Sequence, residues 1–249
     1  MRNLRLGKIL LSKMPRTALW DFGSVNHVIA MRAILNTKDA VVFESRGQEL
    51  AERIRKIVKP DSVVLDFGCG IGRPEKYLAP FCRQLYGVDF SRGMLRLARR
   101  RHNGLKNVFF CKNNGSDLSI FEDGKFDLIF SEAVFQHIEK ETTVVLLMEI
   151  YRVLKQQGEA LLQFCNIECP QNMEIFLKGV KNRPYTPGRM RYWLPEEVEI
   201  LLKAIGFKII SLTIENDARD VKGMPMFDDY HRGYSIWVHV MKSAERNCK

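Results

Sequence analysis

Three glycines at alternate positions, Gly68, Gly70 and Gly72, follow an acid-tipped apolar run, Val63-Val64-Leu65-Asp66-Phe67. Residue types in this order suit a ligand cradle, because a backbone without Cβ atoms can turn sharply and approach a bound molecule closely. Val63 to Leu65 suits a strand buried on both faces of a parallel sheet. Pro74 suits the first turn of a following helix, where its missing N–H costs nothing. The register argues against a dinucleotide fingerprint, since G-x-G-x-x-G would place its third glycine where Arg73 stands.

A second acid strengthens the reading. Leu85-Tyr86-Gly87-Val88 reads as another buried strand ending at Asp89. An acid at a second strand tip, ~20 residues beyond the turn, is placed to accept hydrogen bonds from both ribose hydroxyls of a nucleoside. It can instead cap the helix that starts near Ser91. A third strand, Asn107 to Cys111, runs into Lys112-Asn113-Asn114-Gly115-Ser116-Asp117. A fourth, Phe126 to Ser131, closes into Glu132-Ala133-Val134-Phe135-Gln136-His137. The His137 imidazole can act as a general base or simply hold its loop.

The run D-x-G-x-G-x-G from Asp66 to Gly72 resembles motif I of class I S-adenosylmethionine (SAM)-dependent methyltransferases, in particular type 11/25-like domains. Phe126-Asp127-Leu128-Ile129-x-Ser131 is similar to the family's fourth-strand region. Arg152-Val153-Leu154-Lys155-Gln156-Gln157-Gly158 is similar to its R-V-L-K-P-G-G signature, with glutamines replacing the proline and first glycine. The resemblance covers roughly residues 44 to 164 by motif and 194 to 241 by topology. It implies an α/β, Rossmann-like, doubly wound sheet of seven mostly parallel strands in the order 3-2-1-4-5-7-6, with strand 7 antiparallel and an N-terminal helical lid.

The resemblance further implies SAM as cofactor, S-adenosylhomocysteine as product, and a cofactor site drawn from Arg46, Asp66, Gly68, Cys69, Gly70, Gly72, Arg73, Asp89, Phe90, Met94, Asn114, Gly115, Ser131, Glu132 and Phe135. In this reading Arg46 reaches the cofactor carboxylate from the lid. Asn114 stands where relatives carry the adenine-binding aspartate; its amide oxygen can still accept that hydrogen bond, with Asp117 as the fallback. His137 and Tyr192 are the candidate catalytic residues.

These residues need elements to hold them. Apolar spacing predicts helices around Val28–Leu35 and Leu50–Val58, then helices over Glu75–Phe81, Arg92–His102, Val144–Leu154 and from Pro195 to near Gly206. Ala160–Phe164, Lys208–Ile214 and Tyr234–Met241 complete the strands. Residues 1–58 form the expected helical extension and 59–249 the expected methyltransferase domain. Within it, the loop-rich stretch 165–194, with Tyr185, Arg189, Arg191, Tyr192 and Trp193, is the candidate substrate lid. Asp228, Asp229, Tyr230 and His231 lie in a later loop that can face substrate or water.

At 249 residues and 46% apolar content, the chain can bury a full core. Its six cysteines lack paired C-x-x-C spacing, and Cys165-x-x-x-Cys169 has no second pair or nearby histidine, so no metal site is expected. Reduced thiols and a cytoplasmic location are the default, and no apolar run reaches the ~20 residues of a membrane span.

The net charge of +10 favours anionic partners. Arg2, Arg5, Lys8, Lys13 and Arg16 suit a solvated arm or a presequence, and the arginines of Arg92–Arg101 invite nucleic acid. Yet the [DNS]-P-P-[YFW] tetrad of amino-methylating nucleic-acid enzymes is replaced by Ser131-Glu132-Ala133-Val134, and Cys169-Pro170 reverses the pair used for cytosine carbon methylation. A small-molecule or lipid-like acceptor remains as the expectation. The alternatives are a non-catalytic SAM- or RNA-binding protein, or an RNA or protein methyltransferase.

Overall fold

The computed structural model describes residues 20–21, 23–35, 37–182, 190–216 and 234–243. Two helices, α1 (His27–Leu35) and α2 (Ala40–Arg55), precede the sheet. Asp39 caps α2 by accepting from Val41 N–H at 2.8 Å, which satisfies a donor that the first turn leaves unpaired. The sheet then alternates with helices: β1 (Val63–Phe67), α3 (Glu75–Leu78), β2 (Gln84–Asp89), α4 (Arg92–Arg101), β3 (Val108–Lys112), β4 (Phe126–Ser131), α5 (Lys140–Val153) and β5 (Leu154–Cys165). The chain continues through α6 (Pro170–Asn182), α7 (Pro195–Ile205), β6 (Phe207–Asn216) and β7 (Tyr234–Lys242).

The strand order is β3-β2-β1-β4-β5-β7-β6. β1 pairs in parallel with β2 and β4, and β7 runs antiparallel between β5 and β6. β1 is buried along its whole length. Because a strand's side chains alternate between faces, Val63, Leu65 and Phe67 enter one core with Ile129, Phe135 and Leu147. Val64 enters the other, with Leu85, Phe130, Ile54 and Trp237. The order reverses between β1 and β4, and ligands of such sheets bind outside the carboxyl ends of the strands at that switch point. The glycine turn after β1 and the segment after β4 both end there.

Three expected elements differ. The stretch 165–194 was expected as loop, yet Pro170–Asn182 is helical. Pro170 serves as its first helical residue, where proline is favourable, and Asn172 ties it down by donating to Asn166 O at 2.7 Å. The glutamines of the Lys155–Gly158 turn lie inside β5, which takes up the extra residues as an irregularity, with Gln157 at φ 60°. The helix after the glycine turn is short, tightening into a 3-10 turn at Ala79–Phe81.

The N-terminal segment is fastened over the switch point. Asp21 Oδ1 accepts from Ser91 Oγ at 2.6 Å, and Ser24 sits where a Cβ on Gly93 would be, at 1.7 Å from Ser24 Oγ. On α2, Gly47 abuts the turn so closely that its Cβ would lie 2.4 Å from Arg73 O. Glu44, one turn earlier, pairs with Arg101 and with Lys76 (2.6 Å) and accepts from Tyr77 Oη at 2.9 Å. Burial opposes that carboxylate's charge, but these donors prevail and lower its pKa to about 2.

Candidate functional site

The glycine turn is shaped by its backbone. Gly68, Gly70 and Gly72 have φ of 80°, 56° and 74°, a region that L residues adopt only with strain. Space forbids a side chain too, since a Cβ on Gly68 would lie 2.3 Å from Val134 Cγ2. Gly68 N–H and Cys69 N–H donate to Val88 O at 2.8 and 3.1 Å, hooking the turn over β2.

This turn floors an open cleft. Asp66, Gly68, Cys69, Gly70, Arg73, Asp89, Phe90, Gly115, Glu132 and His137 all line it. Asp89 performs two tasks: its carboxylate accepts from Gly70 N–H at 3.0 Å and from Ser91 N–H at 2.8 Å, with acceptor capacity left over. Burial lifts its pKa to about 6 despite those donors. Asp66 is raised well above the usual carboxylate range, first by burial and then by the charge of Glu75. Arg73 and Glu132 form an ion pair across the cleft wall, their side chains 6% and 17% exposed.

Other expected site residues lie elsewhere. Arg46 sits on α2 and pairs with Glu49 at 2.8 Å, outside the cleft lining. Gly72 lies behind the turn, its carbonyl 2.6 Å from His102 Nε2. Met94 is packed into an apolar cluster with Phe43 and Ile71. Ser131 is buried and donates to Phe67 O at 3.0 Å, joining β4 to β1. Phe135 is stacked in the core on Phe164, ring centroids 4.8 Å apart. Tyr192 is 8% exposed and packs edge-on against Phe176, so it too is absent from the lining. Tyr185, Arg189, Asp228, Asp229, Tyr230 and His231 lie outside the described residues.

The structure places the two asparagines of the expected adenine loop differently. Asn114 turns away from the cleft: its Oδ1 accepts from Ser116 and Asp117 N–H, and its Nδ2 donates to Asp117 at 2.6 Å. Asn113 lines the cleft instead, 5% exposed, with Nδ2 donating to Asp117 O at 3.2 Å. Its Oδ1 is buried and meets no donor among the described residues. An orphaned acceptor of that kind is costly unless a ligand donor completes it, and an exocyclic amine fits. The turn, Asp89 and Asn113 together therefore suit SAM.

An apolar part of the lining was not anticipated: it comprises Trp20, Ile34, Val134 and Ile138, with Ile34 set against Gly70 and Val134 against Gly68, and His137 stands edge-on to Trp20 with ring centroids 5.2 Å apart. Ala133 holds φ 60° with its N–H on Gln163 Oε1 at 2.6 Å, a strained backbone of the kind that surrounding structure must over-determine. Three of the five arginines of the basic helix α4 donate to backbone carbonyls: Arg99 to Phe110 O at 2.6 Å, Arg101 to Gly72 O at 3.2 Å and Arg96 to Ser24 O at 3.5 Å. Among the described residues, no helix is long and apolar enough to cross a membrane.

The methyltransferase-domain family model matches residues 65–162. Phosphoethanolamine N-methyltransferase 1 of Zea mays is 28% identical over 149 residues, 59% of this chain and 29% of that protein. The 24-methylenesterol C-methyltransferase 2 of Arabidopsis thaliana is 26% identical over 77% of this chain and 53% of its own length. The chain thus spans between about a third and a half of these curated relatives. The magnesium protoporphyrin IX methyltransferase of Synechocystis PCC 6803, solved with bound SAH, superposes with a TM-score of 0.66 at 18% identity, over 92% of this chain and 99% of the other. Residues 65–162 lie in a class I SAM-dependent methyltransferase domain, whose cofactor is SAM.

Proposed function

We propose that the protein transfers a methyl group from SAM to a small-molecule or lipid-like acceptor. The observation that carries this reading is the mixed lining of the cleft. Asp66 of β1, Asp89 of β2 and Asn113 beyond β3 share it with Trp20, Ile34, Val134, Ile138 and the imidazole of His137. The enzymes for phosphoethanolamine and for a methylenesterol among its relatives support an acceptor of this size and character.

SAM supplies an electrophilic methyl carbon on a sulfonium, so the protein's task is largely positioning. Asp89 would hold the ribose hydroxyls, and Asn113 Oδ1 the exocyclic amine. The apolar part of the lining excludes water and orients the acceptor; near-attack placement can remove ~7–11 kcal/mol of barrier. His137 would take the proton of a hydroxyl or other acidic nucleophile. The Arg73–Glu132 pair joins the glycine turn to the segment after β4 within the lining.

The test is incubation with methyl-labelled SAM and separate acceptor pools: phosphoethanolamine, sterols, small phenols and RNA, with products identified by mass. Label in a small molecule or lipid is the expected result. Label confined to RNA would overturn the acceptor class while leaving the cofactor in place.

A further inference from the structure

β5 runs on past the end of β4: Ser131, the last residue of β4, pairs with Leu162, and Gln163 follows. The chain leaves β4 through Glu132 and Ala133, and Ala133 takes a φ of 60°, a left-handed conformation that strains any residue carrying a Cβ. Gln163 holds it there. Its Oε1 accepts the Ala133 N–H at 2.6 Å, and its Nε2 donates to Ser235 Oγ of β7 at 2.5 Å. A backbone donor at Ala133 requires the amide oxygen, not the amide nitrogen, to face it, which fixes the orientation of the side chain. Gln163 is 8% exposed and Ser235 4%, so both bonds are shielded from water.

The segment that starts at this turn supplies Glu132, Ala133, Val134, His137 and Ile138 to the cleft lining. Glu132 pairs with Arg73 of the glycine turn. Val134 occupies the space where a side chain on Gly68 would begin. His137 N–H then donates to Val134 O at 2.9 Å, closing the 3-10 turn Phe135–His137. Each of these placements depends on the direction in which the chain leaves β4. Gln163 and Ser235 set that direction from outside the lining.

We infer that Gln163 is a positioning residue for cofactor binding: oriented by Ser235, its amide oxygen holds the left-handed turn at Ala133, and with it the segment that pairs with Arg73 and packs on Gly68. The strain at Ala133 is what makes the hydrogen bond necessary, since without it the turn is free to relax into an ordinary conformation. A site whose competent arrangement is populated only in part binds its ligand more weakly by that fraction. Gln163 and Ser235 both lie beyond residues 65–162, the stretch that the family model matches. The inference rests on the cofactor site described above and is independent of the acceptor.

Calorimetric titration with SAM tests it on three variants, each first checked for folding by thermal unfolding. Gln163→Met keeps the length of the side chain and removes the acceptor, so it should weaken SAM binding by about tenfold. Gln163→Glu keeps an oxygen for the Ala133 N–H and should stay within about twofold of the wild type, a rescue that a merely space-filling role would not produce. Ser235→Ala leaves Gln163 without its orienting partner and should weaken SAM about threefold. Hydrogen exchange reads the turn itself: the Ala133 amide should exchange about tenfold faster in Gln163→Met and at a near wild-type rate in Gln163→Glu. Wild-type affinity in folded Gln163→Met, or equal losses in Gln163→Met and Gln163→Glu, would overturn the inference. Should Gln163→Met not fold, Ser235→Ala decides, and wild-type affinity there would overturn it as well. Absence of any SAM binding by the folded wild type would be a different failure, since it removes the cofactor assignment and this inference with it.

Discussion

Asp89 Oδ2 accepts the N–H of Gly70 at 3.0 Å, so the acid at the tip of β2 holds the centre of the glycine turn. The same carboxylate accepts from Ser91 N–H. Removing it leaves two backbone donors unpaired and deletes the proposed ribose acceptor. Hydrogen bonds to charged groups contribute ~1.5–3 kcal/mol each. Asp89→Ala should therefore weaken SAM binding by about 10- to 100-fold and lower the unfolding temperature. Calorimetric affinity equal to that of the wild type would show that the carboxylate serves the turn alone.

A pH dependence of stability follows from the buried acids. Glu75 is raised to about 7 and Asp89 to about 6, both chiefly by burial. Between an acid's unfolded and raised folded pKa the native state binds more protons than the unfolded chain, so stability falls as pH rises through that window. The predicted decline in unfolding free energy from pH 5 to 8 is on the order of a few kcal/mol. Glu44 has the opposite sign: its pKa is lowered to about 2, so its contribution is complete above the ordinary carboxylate range and is lost only in stronger acid. Denaturant titrations across pH 5 to 8 should show the slope in wild type and a shallower one in Glu75→Gln; parallel curves would contradict it.

The adenine loop separates two adjacent asparagines. Asn113 presents an unsatisfied buried Oδ1 to the cleft, whereas Asn114 accepts from two backbone N–H groups of its own loop. Asn113→Ala should weaken SAM about tenfold, one hydrogen bond in a buried setting. Asn114→Ala should leave affinity within about twofold and instead loosen the loop, a loss of ~1 kcal/mol in stability. Calorimetry paired with thermal unfolding on both variants decides the matter, and a reversed pattern would restore Asn114 as the adenine contact.

That contrast illustrates where sequence reasoning stops. The strands were legible because each is an apolar run bounded by polar residues, and the glycine turn because positive φ at alternate positions demands glycine. Asp89 was legible because a strand tip fixes its place. Asn113 and Asn114 have the same chemistry, and only the loop's folded path says which enters the cleft. Trp20 reaches the site because Asp21 is held by Ser91, some 70 positions later in the chain, a long-range contact that no local pattern announces. Glu75 reads as an ordinary first-turn acid; that it is wholly buried beneath Gly72 follows from the path of the turn into α3. The helix Pro170–Asn182 was obscured by the proline that opens it and by Pro184 just beyond it in sequence, although Met173, Leu177 and Val180 carry helical spacing.

His137 offers the sharpest test of the chemistry, because its imidazole lines the cleft edge-on to Trp20. A general base acts only in its neutral form, so the turnover of an acidic acceptor should rise with pH as the imidazole loses its proton. His137→Gln keeps a polar group in the loop but removes the titration. Its kcat should fall by ~10²–10⁴, the acidic limb of the pH–rate profile should flatten, and the SAM affinity should stay near that of the wild type. Trp20→Ala supplies the contrast: it removes the ring that backs the imidazole and part of the apolar lining, so it should raise KM for the acceptor while the limb persists. If His137→Gln instead raises KM and keeps the limb, the imidazole orients the acceptor without taking its proton, and positioning alone carries the reaction.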